Sequence, residues 1–155
     1  MSPEEFQQEV VRLRPRMLRQ AERFVRSSDM AEDIVQDALL RLWTLHDELH
    51  LPLAPLALVL TRNLALNALR SKAMRSLDEA IDSPDEQDAE QPYARMMQVL
   101  ETLPPQPQLI LRLRHIEGLE YKAIARLLGS NEVAVRKAVS RARILLRDHY
   151  LQFSD

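Results

Sequence analysis

With 155 residues, 46% of them apolar and 28% charged, the chain has the make-up of one ordinary domain or two small ones. Its 21 Lys and Arg against 23 Asp and Glu leave a net charge of −2, which excludes both a polybasic arm and an acidic disordered tail. The absence of cysteine removes disulfide frameworks, thiol catalysis and thiolate zinc sites, and two glycines are too few for hairpin-rich β architectures or glycine-rich phosphate loops.

The expectation is an all-α protein. No basic-then-apolar export pattern opens the sequence, and a long uncharged stretch, residues 50–61, is broken by Pro52 and Pro55 and is too short to cross a bilayer. A cytoplasmic location without a cofactor is expected. Charge is segregated: the net is 0 over residues 1–72, −5 over 73–95 and +3 over 96–155. Residues 76–91 (SLDEAIDSPDEQDAEQ) are acidic, contain Pro84 and lack a sustained apolar period, the composition of a solvated tether. The organisation predicted is an N-terminal three-helix module at 1–72, an acidic flexible linker at 73–91 and a C-terminal helix-turn-helix module at 92–155, able to engage separate sites on one large partner.

In chain order, Ser2-Pro3-Glu4-Glu5 reads as a capping box with proline at the first helical position. Phe6, Val10, Leu13, Met17, Ala21 and Phe24 follow at helical spacing, with Pro15 expected to bend or break the helix. Asp29-Met30-Ala31-Glu32 reads as the cap of a second helix buried along Ala31, Ile34, Val35, Ala38, Leu42, Leu45 and Leu49. On its opposite face Asp33, Gln36, Asp37, Leu40 and Thr44 fall within about 60° of one direction, with Arg41 and Trp43 near the edges. Leu40 is thus stranded among polar groups, the pattern of a docking surface or of a solvated face with one exposed leucine.

A third helix, over residues 55–72, begins apolar and ends in TRNLALNALRSK. Asn63, Asn67 and Arg70 share one face, with Arg62 near the same end, and amide and guanidinium groups at such spacing suit bases and phosphates. Residues 92–103 give a lead-in helix stopped by Pro104-Pro105. Residues 108–116, apolar at Leu109, Leu113 and Ile116, precede a connection at Gly118. Residues 121–128 form the next helix, closed by Gly129, and Asn131 caps a last one reaching about Arg147. A short helix, a turn containing Gly129 and a basic helix make a helix-turn-helix. In the last helix Val135, Val139, Ala142 and Leu146 face inward. Arg136, Ser140, Arg143 and Arg147 line the outer face beside Lys137 and Arg141, the footprint of a major-groove reader.

LILRLRHIEGLEYKAIARLLG followed by EVAVRKAVSRARILLR resembles region 4 of the extracytoplasmic-function sigma factors of bacterial RNA polymerase. MAEDIVQDALLRLW and LTRNLALNALRS resemble region 2 of the same family, in the right order and with the acidic linker between. The resemblance implies a sigma factor that binds core RNA polymerase and directs promoter-specific initiation. It implies that Asp33, Gln36, Asp37, Leu40 and Arg41 meet the clamp of the largest subunit, and that Arg62, Asn63, Asn67 and Arg70 meet the minus-ten element. Asn131, Glu132, Arg136, Lys137, Ser140, Arg141 and Arg143 would read the minus-thirty-five element of promoter DNA. An anti-sigma factor is a further partner of the kind the family takes. Residues 51–61 (LPLAPLALVLT) depart from the family, which usually shows basic and aromatic groups there, and Val133-Ala134 stand where it commonly has Gly-Thr.

Two other functions fit parts of the sequence. His46-Asp47-Glu48-Leu49-His50 places two imidazoles at zinc-protease spacing, but Pro52 cuts the helix and no third ligand is indicated. A helix-turn-helix regulator with a sensory or dimerising N-terminal bundle shares the C-terminal features. It requires a ligand pocket or a self-complementary apolar face within residues 1–72, and neither stands out.

Overall fold

The structure is a computed structural model that describes residues 1–73 and 92–153; the predicted acidic tether at 76–91 lies outside them. The described residues form helices joined by short turns, with no strand among them.

Helix α1 (Pro3–Glu22) starts as its sequence dictates, with Ser2 Oγ accepting from the Glu5 amide at 3.1 Å and Glu5 Oε1 accepting from the Ser2 amide at 2.9 Å. Hydrogen bonding to the carboxylate, first from the Ser2 amide and then from the Ser2 hydroxyl, holds the Glu5 carboxyl below the usual carboxylate range. Pro15 does not end the helix. It lies exposed, and the carbonyl it leaves without an amide partner is that of Val11, also exposed, so water can satisfy it.

Helix α2 (Ser28–Thr44) is capped by Ser27, whose Oγ accepts from the Met30 amide at 3.3 Å, rather than by Asp29 as expected. Asp29 instead lies in the first turn, where a carboxylate complements the helix dipole. The helix stops at Thr44 and passes into a 3-10 turn, His46–Glu48, which still turns Leu45 and Leu49 inward. Helix α3 (Ala54–Ala73) packs on both α1 and α2.

The second group comprises α4 (Pro92–Glu101), α5 (Pro105–Leu111), α6 (Tyr121–Leu128) and α7 (Glu132–Phe153), with α7 packed on α4, α5 and α6. The helix expected over 108–116 divides. After Leu111 the chain widens into a π-helical turn, Arg112–Ile116, where the Glu117 amide reaches back to the Arg112 carbonyl at 2.9 Å. The extra residue shifts the helical phase, and Ile116, expected inside, is exposed. Two polar residues go inside instead: Arg112 Nε donates to Gln108 Oε1 at 3.1 Å, and Gln108 Nε2 donates to the Leu103 carbonyl at 3.3 Å. Among the described residues no buried side-chain polar atom lacks a partner.

The two groups are in contact, because α3 also packs on α5, and one hydrophobic core runs from Phe6 to Ala142. Met17, Leu42, Leu53 and Leu60 from the first group and Leu103, Leu109 and Leu113 from the second are fully buried. Truncating any of these leucines to alanine costs about 2–5 kcal/mol.

Candidate functional site

The outward face of α2 is built around Leu40. Its inward partners Ile34, Val35, Ala38 and Leu42 fix the helix phase, and that phase leaves the Leu40 side chain 64% exposed between Asp33, Gln36 and Asp37. Arg41 at the edge is held: its Nε donates to Asp37 Oδ1 at 2.8 Å, its Nη2 to Asp37 Oδ2 at 3.2 Å and its Nη1 to the Leu127 carbonyl at 2.7 Å. One turn beyond Leu40, Trp43 is partly exposed and stacked on His46 with ring centroids 4.2 Å apart, while Phe6 packs against the same indole at 5.4 Å. The result is a rigid apolar prominence in a polar field, the anatomy of an anchor for another protein.

The predicted stripe on α3 is only partly open. Asn67 and Arg70 are exposed and Arg62 is half-buried, but Asn63 retains 4% exposure. This corrects the expectation for Asn63: the core wraps far enough round α3 to enclose it, so it presents no base-reading amide here. Burial, with Arg23 adding like charge, lowers the pKa of the Arg62 guanidinium.

The helix-turn-helix is formed as expected. Gly129 ends α6 in the left-handed conformation at φ 67°, and the Ser130 amide closes the turn on the Ala125 carbonyl at 2.8 Å. Asn131 Oδ1 then accepts from the Ala134 amide at 2.9 Å, the side-chain cap of α7. Val135, Val139 and Ala142 are buried, and so Glu132, Arg136, Lys137, Ser140, Arg141 and Arg143 are all exposed on the open side.

Three further residues join that face without having been singled out in the sequence. Two guanidinium groups pack over the Tyr121 ring, with Arg114 Cζ 4.3 Å and Arg136 Cζ 4.6 Å from its centroid. Arg114 is fixed in turn by donating from Nη1 to the Leu119 carbonyl at 2.9 Å. His115 Nε2 accepts from Arg143 Nε at 3.1 Å. Burial, then the charges of Arg143 and Arg114, push the His115 pKa down. The signal available in the sequence was the aromatic residue at the start of α6, opposite the α7 arginines.

The protease-like spacing of His46 and His50 does not make a metal site. His46 Nε2 lies 2.8 Å from Asp47 and its ring stacks on Trp43, whereas His50 turns to Glu117. No group of three or more ligating side chains occurs among the described residues. No described helix is long and apolar enough to cross a membrane.

The sequence matches two family models: Sigma-70 region 2 over residues 10–75 and Sigma-70, region 4 over residues 93–146. A similar curated protein is a probable RNA polymerase sigma factor, RfaY, of Xanthomonas campestris pv. campestris, 38% identical over 140 residues, which span 81% of this chain. The chain spans about a third of that relative's length (35%). Among solved structures, the sigma factor RpoE in complex with the anti-sigma factor NepR, from Bartonella quintana, aligns with a TM-score of 0.45 at 22% identity, covering 94% of this chain and 96% of that one. With region 2 matched on the first helix group and region 4 on the second, the chain belongs to the sigma-70 family.

Proposed function

We propose that the chain is a sigma factor that binds core RNA polymerase and directs promoter-specific transcription initiation. The observation that carries this reading is the pairing, in one chain, of a Leu40-centred protein-docking face on α2 with an open basic face on α7. A DNA-binding regulator needs only the second.

In this reading Asp33, Gln36, Asp37, Leu40 and Arg41 meet the clamp of the largest polymerase subunit. Leu40 supplies apolar area to bury, and the carboxylates select a basic partner and steer its approach. Asn67 and Arg70, with Arg62 beside them, face the minus-ten element. The N-terminal turns of α7 enter the major groove at the minus-thirty-five element, with Arg136, Lys137, Arg141 and Arg143 on phosphates or bases and Asn131, Glu132 and Ser140 around them. Val133 is 63% exposed at that leading edge, where an isopropyl group contacts a thymine methyl rather than a phosphate. The role is one of binding and placement, without a catalytic step. An anti-sigma factor fits the same surfaces, since covering either one blocks initiation.

The test is run-off transcription with core enzyme, this chain and a library of promoters from the same genome. Specific transcripts are expected from core plus this chain alone. Transcripts that appear only when a housekeeping sigma factor is also added would leave the regulator reading in place.

A further inference from the structure

Helix α1 carries a row of arginines along its open side. Arg12, Arg16, Arg19, Arg23 and Arg26 are all exposed and follow one another at alternating spacings of four and three. At 100° per residue the first four lie within about 60° of one direction, and Arg26 continues the series in the turn before α2. Arg12 reaches Glu9 only at 3.6 Å, and Arg16, Arg19 and Arg26 make no ion pair with a described residue. Arg14, which lies off the row, is by contrast paired with Glu32 at 2.6 Å. Like charges at this spacing repel one another. The helix dipole favours a cation only in the last turn, which holds Arg19 but neither Arg12 nor Arg16. The row therefore costs α1 stability, and folding gives no reason for it.

Its position on α1 is fixed by two contacts. Glu9 Oε1 accepts from the Leu53 amide at 3.3 Å and marks the side of α1 that meets the start of α3, whereas the Arg14–Glu32 pair marks the side that meets α2. The centre of the row lies about 50° from Glu9 and about 170° from Arg14, so the row borders α3. Its far end reaches Arg62: burial first, and then the charge of Arg23, lowers the pKa of that guanidinium. The one carboxylate between Arg12 and Arg26 is Glu22, about 90° off the row's centre. From Arg12 to Arg23 the row is about 16 Å long, a distance over which one strand of duplex presents about five phosphates.

We propose that the α1 arginine row is a further DNA-binding surface, which holds the phosphodiester backbone next to the minus-ten element and extends the contact that begins at Arg62. The proposal rests on reading α3 as the minus-ten face. Its occupant is promoter DNA because an unbroken row of guanidinium groups matches a uniformly charged strand, and because the row is continuous with the face that meets the same DNA. Phosphate contacts carry no sequence information, so the row adds affinity and register and leaves promoter choice to α3 and α7.

The test measures promoter binding by the assembled complex of core polymerase and this chain over a range of salt concentrations. Arg16→Ala with Arg19→Ala removes two exposed charges and is expected to leave core binding unchanged. Promoter affinity is expected to fall, and the slope of log affinity against log salt to become shallower by about 1.4–1.8, the release expected for two phosphates. Arg16→Lys with Arg19→Lys keeps the charges and is expected to keep the wild-type slope. An unchanged slope in the alanine pair, or an altered one in the lysine pair, overturns the proposal. So does a loss of core affinity in the alanine pair at constant slope, which would make the row a contact for an acidic protein surface. The natural chain has no cysteine, so Arg16→Cys can be labelled alone with a photo-crosslinker before assembly. Illumination of the promoter complex is expected to join it to DNA within a few nucleotides of the minus-ten element, and attachment to polymerase subunits alone overturns the proposal. The wild-type chain separates this from the parent reading. If it gives core no promoter binding, the sigma-factor reading fails and the row falls with it; if it does so and the alanine pair matches it in affinity and slope, only the row is wrong.

Discussion

Arg143 Nε donates a hydrogen bond to His115 Nε2 across 3.1 Å, an arrangement that only a neutral imidazole can accept. The recognition helix is thereby tied to the turn before α6 by a bond that a proton would break. Arg114 beside it adds to the repulsion a charged His115 would meet.

This pair makes stability depend on pH with a definite sign. The folded-state pKa of His115 lies below the ordinary value of 6.5, so between those two values the unfolded chain holds more protons than the folded one. The stabilisation is therefore complete above the unfolded value and is lost as pH falls through the folded one. Melting temperature is expected to decline on acidification below about pH 6.5, and His115→Gln, which keeps an acceptor but does not titrate, is expected to flatten that decline. Parallel curves for the two proteins would show that His115 is not the group responsible.

Leu40 separates docking from folding. Its side chain touches solvent, not the core, so Leu40→Ala should change stability by no more than about 0.5 kcal/mol. Core polymerase binding is expected to weaken by about 1–3 kcal/mol if the side chain fills a pocket on the partner. Asp37→Ala is expected to weaken binding too, both by removing a carboxylate and by releasing Arg41, which Asp37 holds through two hydrogen bonds. Titration with core enzyme and a melt of each variant distinguish the two effects; unfolding of Leu40→Ala would mean that α2 is rotated from the phase described.

Much of this was legible because period and capping are local. The Leu40 face could be read from its polar neighbours, and the helix 121–128, Gly129 and the Asn131 cap could be read from turn chemistry alone. What escaped depended on a neighbour far away in sequence. Asn63 shares a helix face with Asn67 and Arg70, and nothing local says that the core extends round to enclose it. The π turn at Arg112–Ile116, which hides Arg112 and exposes Ile116, is set by Gly118 and by amide bonds that reach back from Glu117 and Leu119. The apolar run at 51–61 was visible as a departure, but not that a helix of the second group covers it.

The stack of Arg114, Tyr121 and Arg136 predicts a difference between losing a charge and losing its support. Arg136→Ala is expected to weaken promoter binding and, where a phosphate contact is lost, to reduce the slope of log affinity against log salt by roughly one. Tyr121→Ala keeps both charges and removes only the ring they share. Affinity is then expected to fall with the slope nearly unchanged. Equal slopes and affinities in wild type and Arg136→Ala would mark the arginine row as a solvated face that DNA does not touch.

The turn of the helix-turn-helix offers a test in which backbone strain stands alone. Gly129 takes φ 67° and ψ 38°, and a Cβ placed there meets no atom within 4 Å. Gly129→Ala therefore adds no clash; what it adds is the cost of holding an L-residue in the left-handed region, about 1–2 kcal/mol. Asparagine tolerates that region better, so Gly129→Asn is expected to lose less. Chemical denaturation of the three proteins gives the ranking glycine, asparagine, alanine in falling stability. Since Gly129 precedes α7 and is not one of the residues of its open face, the folded variants should retain promoter affinity. Equal stability of the alanine and asparagine variants would mean that the chain escapes the left-handed conformation by re-forming the turn, and a changed promoter affinity should then accompany it.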